Sequence, residues 1–99
     1  MTNASNIYTL KTDNGDITFW KRGNVVTLEG YFTNVIKVVF FNIPEELVPK
    51  YDHAIINVIF PSYPYNPIGT AWFYGDGRAT LYAPSGQDKV YLCGTYITI

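Results

Sequence analysis

Apolar and polar residues alternate along short stretches of the chain, and turn residues interrupt them roughly every 8–12 positions, the spacing of an all-β sandwich or barrel. Ile7 to Thr12 reads as a first strand. Asp13-Asn14-Gly15-Asp16 follows as a hairpin turn, with Asn-Gly supplying the positive φ of a type I′ turn. Ile17 to Arg22 is a second strand, and Gly23-Asn24 the next turn. In the third, Val25 to Thr33, one face carries Val25, Thr27, Glu29 and Tyr31 and the other Val26, Leu28, Gly30 and Phe32. The second set is more apolar and belongs inside. Ile36 to Asn42 is a fourth strand whose run Val38-Val39-Phe40-Phe41 lacks alternation, as if both faces were covered.

Ile43-Pro44-Glu45-Glu46-Leu47-Val48-Pro49 then breaks the pattern, because two prolines five apart leave room for at most one helical turn. Ala54 to Phe60 is the fifth strand. Pro61, Pro64 and Pro67 predict an extended, partly polyproline-like loop carrying Tyr63 and Tyr65. Ile68 to Tyr74, the turn Gly75-Asp76-Gly77 and Arg78 to Ala83 form a hairpin. Pro84 to Asp88 reads as a loop and Lys89 to Ile99 as the last strand. About eight strands and hardly any helix predict an all-β antiparallel β-sandwich of jelly-roll or Greek-key type, in one domain over residues 1–99 with residues 1–6 flexible.

The last hairpin decides which residues face outward. With a two-residue loop, Gly75 pairs with Arg78, and Trp72 and Leu81 share a face. With a three-residue loop and Gly77 in the left-handed region, Tyr74 pairs with Arg78. Ala71, Phe73, Ala79 and Leu81 then form a plain apolar face, and Trp72, Tyr74, Arg78, Thr80 and Tyr82 the other. The second register leaves Arg78 in solvent and is the one predicted.

Composition agrees. Ile, Val and Thr supply 28 residues against 5 Leu and 3 Glu, the chemistry of strands, where β-branched side chains fit the pleated surface. Aromatic residues reach 17%, with nine tyrosines, too many for a small core to hide with every hydroxyl satisfied. The net charge of −1 and the scattered basic residues argue against phosphate-backbone binding of nucleic acid. No apolar run reaches the ~20 residues of a membrane helix, and Met1 to Asn6 holds no signal-peptide pattern. The expectation is synthesis in a cytoplasm without a signal and no membrane insertion. One cysteine and one histidine exclude an internal disulfide and a Cys-based zinc site.

Candidate chemistry is sparse. Glu45 and Glu46 are adjacent and cannot flank one glycosidic bond; Glu29 has no readable partner in Asp76 or Asp88. His53 with Ser5, Ser62 or Ser85 lacks a nucleophile-elbow setting. No enzyme, metal or cofactor is predicted. The binding candidates are Trp72, Tyr74, Arg78 and Tyr82, a face on which sugar rings can stack while Arg78 pairs with a phosphate; the alternative is that Trp72 and Tyr74 pack in the core or at a subunit interface. Tyr63 and Tyr65 in the proline loop and His53 beside Asp52 follow. Trp20 reads as core and Cys93 as a buried free thiol.

Four pieces, in order, carry a resemblance. They are Trp20-Lys21-Arg22-Gly23-Asn24-Val25-Val26-Thr27-Leu28, then Asn42-Ile43-Pro44-Glu45-Glu46-Leu47-Val48-Pro49, then the Asp76-Gly77 hairpin, then Gly94-Thr95-Tyr96-Ile97. Over about residues 15–99 the chain resembles the C-terminal head domains of tail-fibre and baseplate receptor-binding proteins from phages of Gram-positive bacteria, especially lactococcal siphophages. The resemblance implies a homotrimeric, non-enzymatic β-sandwich head on the virion tail tip. Its partners would be host cell-wall polysaccharide, including teichoic acid, and other tail or baseplate proteins. In better-known members, His, Asp, Trp and Arg around the last hairpin hold the saccharide. Here Trp72 and Tyr74 stand for the His and Asp, and Tyr82 for the Trp, so the location of the site carries over and the identity of its ligand does not. The N-terminal shoulder and neck usual in such proteins are not seen in these residues, so the expectation is either a head domain alone or a short appended module.

Overall fold

A computed structural model describes residues 6–98, apart from the side chains at 36 and 84–87. Six antiparallel strands occur in chain order: β1 (Asn6–Lys11), β2 (Gly15–Arg22), β3 (Val25–Asn42), β4 (His53–Ile59), β5 (Pro67–Tyr74) and β6 (Arg78–Ile97), with one 3-10 turn (Glu45–Leu47) before β4. The all-β, antiparallel expectation holds. The eight expected strand segments are all extended, and four of them are joined end to end as β3 and β6. Those two pair along their whole lengths, from Val25↔Ile97 to Asn42↔Arg78. The expected breaks at 34–35 and 84–88 are a β-bulge instead. Val35 faces Gln87 and Lys37 faces Ala83, so Ile36 stands opposite the three residues Pro84 to Gly86. Asn34 and Lys37 take positive φ around it. A bulge bends and twists a strand without ending it, which is why these turn residues do not interrupt the sheet.

The strand order is β1-β2-β3-β6-β4-β5, with β5 also pairing β6. The first half of β6 lies between β3 and β5, and β4, β5 and β6 are hairpin neighbours in sequence, which is a Greek key. The second half of β6 pairs β4 through Asn57↔Cys93, Val58↔Leu92 and Ile59↔Tyr91. Because β6 bends from β5 to β4, the two layers of the expected sandwich are one sheet curled into a half-barrel. Phe19 of β2 reaches Phe73 of β5 across the interior, with ring centroids 6.1 Å apart.

Alternation puts Ile17 and Phe19, then Val26, Leu28 and Phe32, into one contiguous core with Ile56, Val58, Ala71, Phe73, Leu81 and Leu92. Trp20 follows Phe19 on a strand whose odd residues point inward. It therefore stands half-buried on the outer face, not in the core. Val38 and Phe40 likewise face out while Val39 and Phe41 pack on the core, so the apolar run of β3 covers one face only. Cys93, opposite Glu29, is half-buried on the outer face and not enclosed. Burial and the Glu29 charge push its thiol pKa up, which keeps it a poor nucleophile.

The segment 43–50 closes one end of the core. Ile43 and Leu47 are buried, and the buried Tyr96 hydroxyl donates to the Leu47 carbonyl at 2.5 Å. Burial pushes the Tyr96 pKa up, so the hydroxyl keeps the proton it donates.

Two turns differ from expectation. The first hairpin closes on Asp13-Asn14, flanked by reciprocal Thr12–Gly15 backbone bonds, and neither Asn14 nor Gly15 takes positive φ. The Thr12 hydroxyl donates to the Gly15 carbonyl and accepts from the Asn14 and Gly15 amides, which stabilises the ordinary turn. The proline loop is folded back, not polyproline-like. Tyr65 N–H donates to the Ser62 carbonyl, Tyr65 has φ +59°, and the Tyr63–Pro64 peptide is cis. Of the expected flexible start, residues 1–5 lie outside the described residues and Asn6 pairs with Lys21 in β1. Ile99 lies outside them too.

Candidate functional site

The β5–β6 hairpin has the three-residue loop. Gly77 carries φ +93°, its N–H donates to the Tyr74 carbonyl at 3.0 Å, and Phe73↔Ala79 and Trp72↔Thr80 fix the register. Only a residue without Cβ holds that φ without strain. Ala71, Phe73, Ala79 and Leu81 are consequently buried, and Trp72, Tyr74, Arg78, Thr80 and Tyr82 face outward. The predicted division of faces holds.

Strand pairing extends this face into rows. His53 pairs with Tyr74, and Asn42 with Arg78. Ile55, Trp72, Thr80 and Phe40 form the next row, and Asn57, Thr70, Tyr82 and Val38 the third. Five of the candidate residues thus share one surface: His53, Trp72, Tyr74, Arg78 and Tyr82. Tyr63 and Tyr65 do not join them. They sit at the far tip of the β4–β5 hairpin, ring to edge at 6.1 Å, 85% and 54% exposed.

Arg78 is the fixed polar group of the face. Its Nε donates to Asp76 Oδ2 at 2.8 Å and its N–H to Asp76 Oδ1 at 3.1 Å. Its guanidinium lies 5.3 Å from the Tyr74 ring centroid, within cation–π range. These contacts orient the fork on a side chain that is 72% exposed. The Arg78 backbone N–H, and then the guanidinium, hold the Asp76 carboxyl below its usual range, with slight burial opposing them. Asp76 is therefore a lasting counterion and not an acid at neutral pH.

Two shallow clefts flank this pair. One of about 550 Å³ runs between Phe40, Asn42, Tyr74, Arg78 and Thr80. The other, about 390 Å³, lies on the far side of Tyr74 and Arg78 against Lys50, Tyr51, Asp52 and Gly75. Both fall in the size range of small-molecule sites.

No protein-family model matches the chain, and no curated protein matches it.

The sequence reading missed Phe40, 74% exposed, and Ile55, 61% exposed, which border the same rings. Their signal was present in the partners: once Val39 and Phe41 turn inward, Phe40 must face out opposite Thr80. Elsewhere on the outer face, the Tyr91 hydroxyl donates to Glu29, and that bond, with burial and the Glu29 charge, pushes the Tyr91 pKa up. Glu29 is thus engaged far along β3 from Asp76. Glu45 and Glu46 lie in the 3-10 turn. Among the described residues no three His, Cys, Asp or Glu side chains are grouped to hold a metal.

Proposed function

We propose that the chain is a non-enzymatic binding head that recognises host cell-wall saccharide or polyol phosphate at the tail tip of a phage. The observation that carries this reading is that Trp72, Tyr74, Tyr82 and His53 share one outward face with an oriented Arg78, and that Tyr74 and Arg78 stand between two open clefts. Ring faces stack on the C–H faces of sugars, and an exposed guanidinium takes a phosphate or a pair of hydroxyls. The phage setting, the homotrimer and the tail or baseplate partners rest on the sequence resemblance. A trimer would multiply weak single-site affinity through effective concentration.

A second reading is a structural tip or accessory baseplate domain without a ligand of its own. The exposed Phe40 and Ile55 beside the rings favour it, because aromatic and apolar side chains are enriched at subunit contacts.

Replacing Trp72 and Tyr74 together by alanine separates the two. Sedimentation with a panel of purified Gram-positive cell walls and light scattering are read side by side. The binding reading predicts loss of wall retention by at least about tenfold, the scale expected when two aromatic anchors each costing over about 1 kcal/mol on truncation are removed, at unchanged solution mass. Unchanged retention would sink the site. A fall in mass would make those rings subunit contacts.

A further inference from the structure

From Ala54 to Gly75 the chain holds no Asp, Glu, Lys, Arg or His, so beyond His53 the β4–β5 hairpin is charge-free to its far tip. Its outward residues are Ile55 and Asn57 on β4 and Tyr74, Trp72 and Thr70 on β5, and the adjoining outward residues of β6 are Thr80 and Tyr82, also uncharged. The track has Arg78 at one end and the exposed pair Tyr63 and Tyr65 at the other. Its outward side chains run from Tyr74 to Thr70, Ile68 packs against the core, and β5 as a whole, from Tyr74 to Pro67, is about 24 Å long at 3.4 Å per residue.

The make-up of the track selects its occupant. A bilayer or an apolar protein face would call for continuous apolar surface. Here hydroxyls and an amide (Thr70, Thr80, Asn57) lie between the rings. Neutral rings interleaved with hydrogen-bonding groups match a neutral polyhydroxylated chain, whose C–H faces and hydroxyls also alternate. The tip is preset for contact: Phe60 N–H donates to the Asn66 carbonyl at 2.9 Å and Tyr65 N–H to the Ser62 carbonyl at 2.8 Å, so little backbone freedom is lost when Tyr63 and Tyr65 are covered.

We infer that the ligand is an extended segment of a neutral glycan polymer laid along β4 and β5, held at one end by Trp72, Tyr74 and Arg78 and at the other by Tyr63 and Tyr65. This rests on the binding-head reading and adds to it that two distant groups grip one polymer.

The test is a length series. Purified Gram-positive cell-wall polysaccharide is cut into size fractions from single sugars to fragments well over 24 Å, and each is titrated calorimetrically against the wild-type chain and the Tyr63→Ala/Tyr65→Ala variant. The changes lie on an exposed tip, and circular dichroism checks that the strands persist. The expected result is a Kd that falls about tenfold to a hundredfold as fragments reach the length of β5 and then levels off. The variant should lose that gain and show one affinity across the length series. Equal affinity at every length, or a gain that survives in the variant, overturns the inference and leaves the binding head standing. Absence of binding by wild-type chain at every length overturns both.

Discussion

Replacing Phe73 by alanine is expected to cost about 3–5 kcal/mol, the range for a large aromatic removed from a core that only partly collapses. Phe73 is fully buried where three parts of the chain meet. Its ring lies 6.1 Å from Phe19 of β2, 6.0 Å from Phe41 of β3 and 5.7 Å from Tyr96 of β6, the last two edge to face. Truncation thus removes aromatic pairs worth about 0.5–1.5 kcal/mol each beyond the area they bury. Against a total stability of about 5–15 kcal/mol for a domain of this kind, most of the margin goes. Thermal unfolding followed by circular dichroism should show the midpoint falling by roughly 20 °C, from 4–8 °C per kcal/mol at this chain length. A fall under about 5 °C would mean that the half-barrel does not close through Phe73.

Gly69→Ala should be nearly as damaging for a different reason. A Cβ at Gly69 would stand 2.0 Å from the Tyr82 carbonyl oxygen and 3.1 Å from the Ala83 Cα. Both are backbone atoms of β6, so no side chain can swing aside. β5 and β6 would have to part beside Thr70↔Tyr82, at the edge of the proposed track. The expected cost is roughly 3 kcal/mol, the upper end for overpacking. Gly75→Ala is the matched control, since its Cβ would meet nothing nearer than 3.4 Å. Urea unfolding of the two variants should place the Gly69 variant well below wild type and the Gly75 variant close to it. Equal midpoints would contradict the close approach of β5 to β6.

Much of this fold was legible in alternation alone. Val26, Leu28, Gly30 and Phe32 are inside, as their polarity predicted, and so are Ala71, Phe73, Ala79 and Leu81. Local patterning failed where long-range pairing decides. Nothing in Thr33-Asn34-Val35 or Pro84-Ser85-Gly86 shows that each is bridged by the other's strand, and the bulge at Ile36 exists only once β3 and β6 meet. Trp20 stands outside the core because parity overrides residue type: Ile17 and Phe19 take the inward positions of β2. The Asn-Gly pair misled because the Thr12 hydroxyl stabilises a turn one residue earlier.

The site was legible to the same extent. A three-residue loop at Asp76-Gly77 suffices to put Trp72, Tyr74, Arg78 and Tyr82 on one face. That His53 stands beside Tyr74 depends on the β4–β5 register, which no local pattern fixes across the irregular proline loop. The same register sends Tyr63 and Tyr65 to the opposite end.

In the proposed site the ligand lies on the ring of Trp72. The chain has two tryptophans, so Trp20→Phe leaves Trp72 as the single reporter, and Trp72→Phe leaves Trp20. Both rings are half-buried on the outer face, where phenylalanine fits without disturbing the core. Tryptophan emission of each variant is followed during titration with purified Gram-positive cell-wall polysaccharide. The account predicts a saturable change in intensity and wavelength from Trp72 in the Trp20→Phe chain and none from Trp20 in the other. A saturable response confined to Trp20 would contradict it, as would silence from Trp72 while the polysaccharide binds.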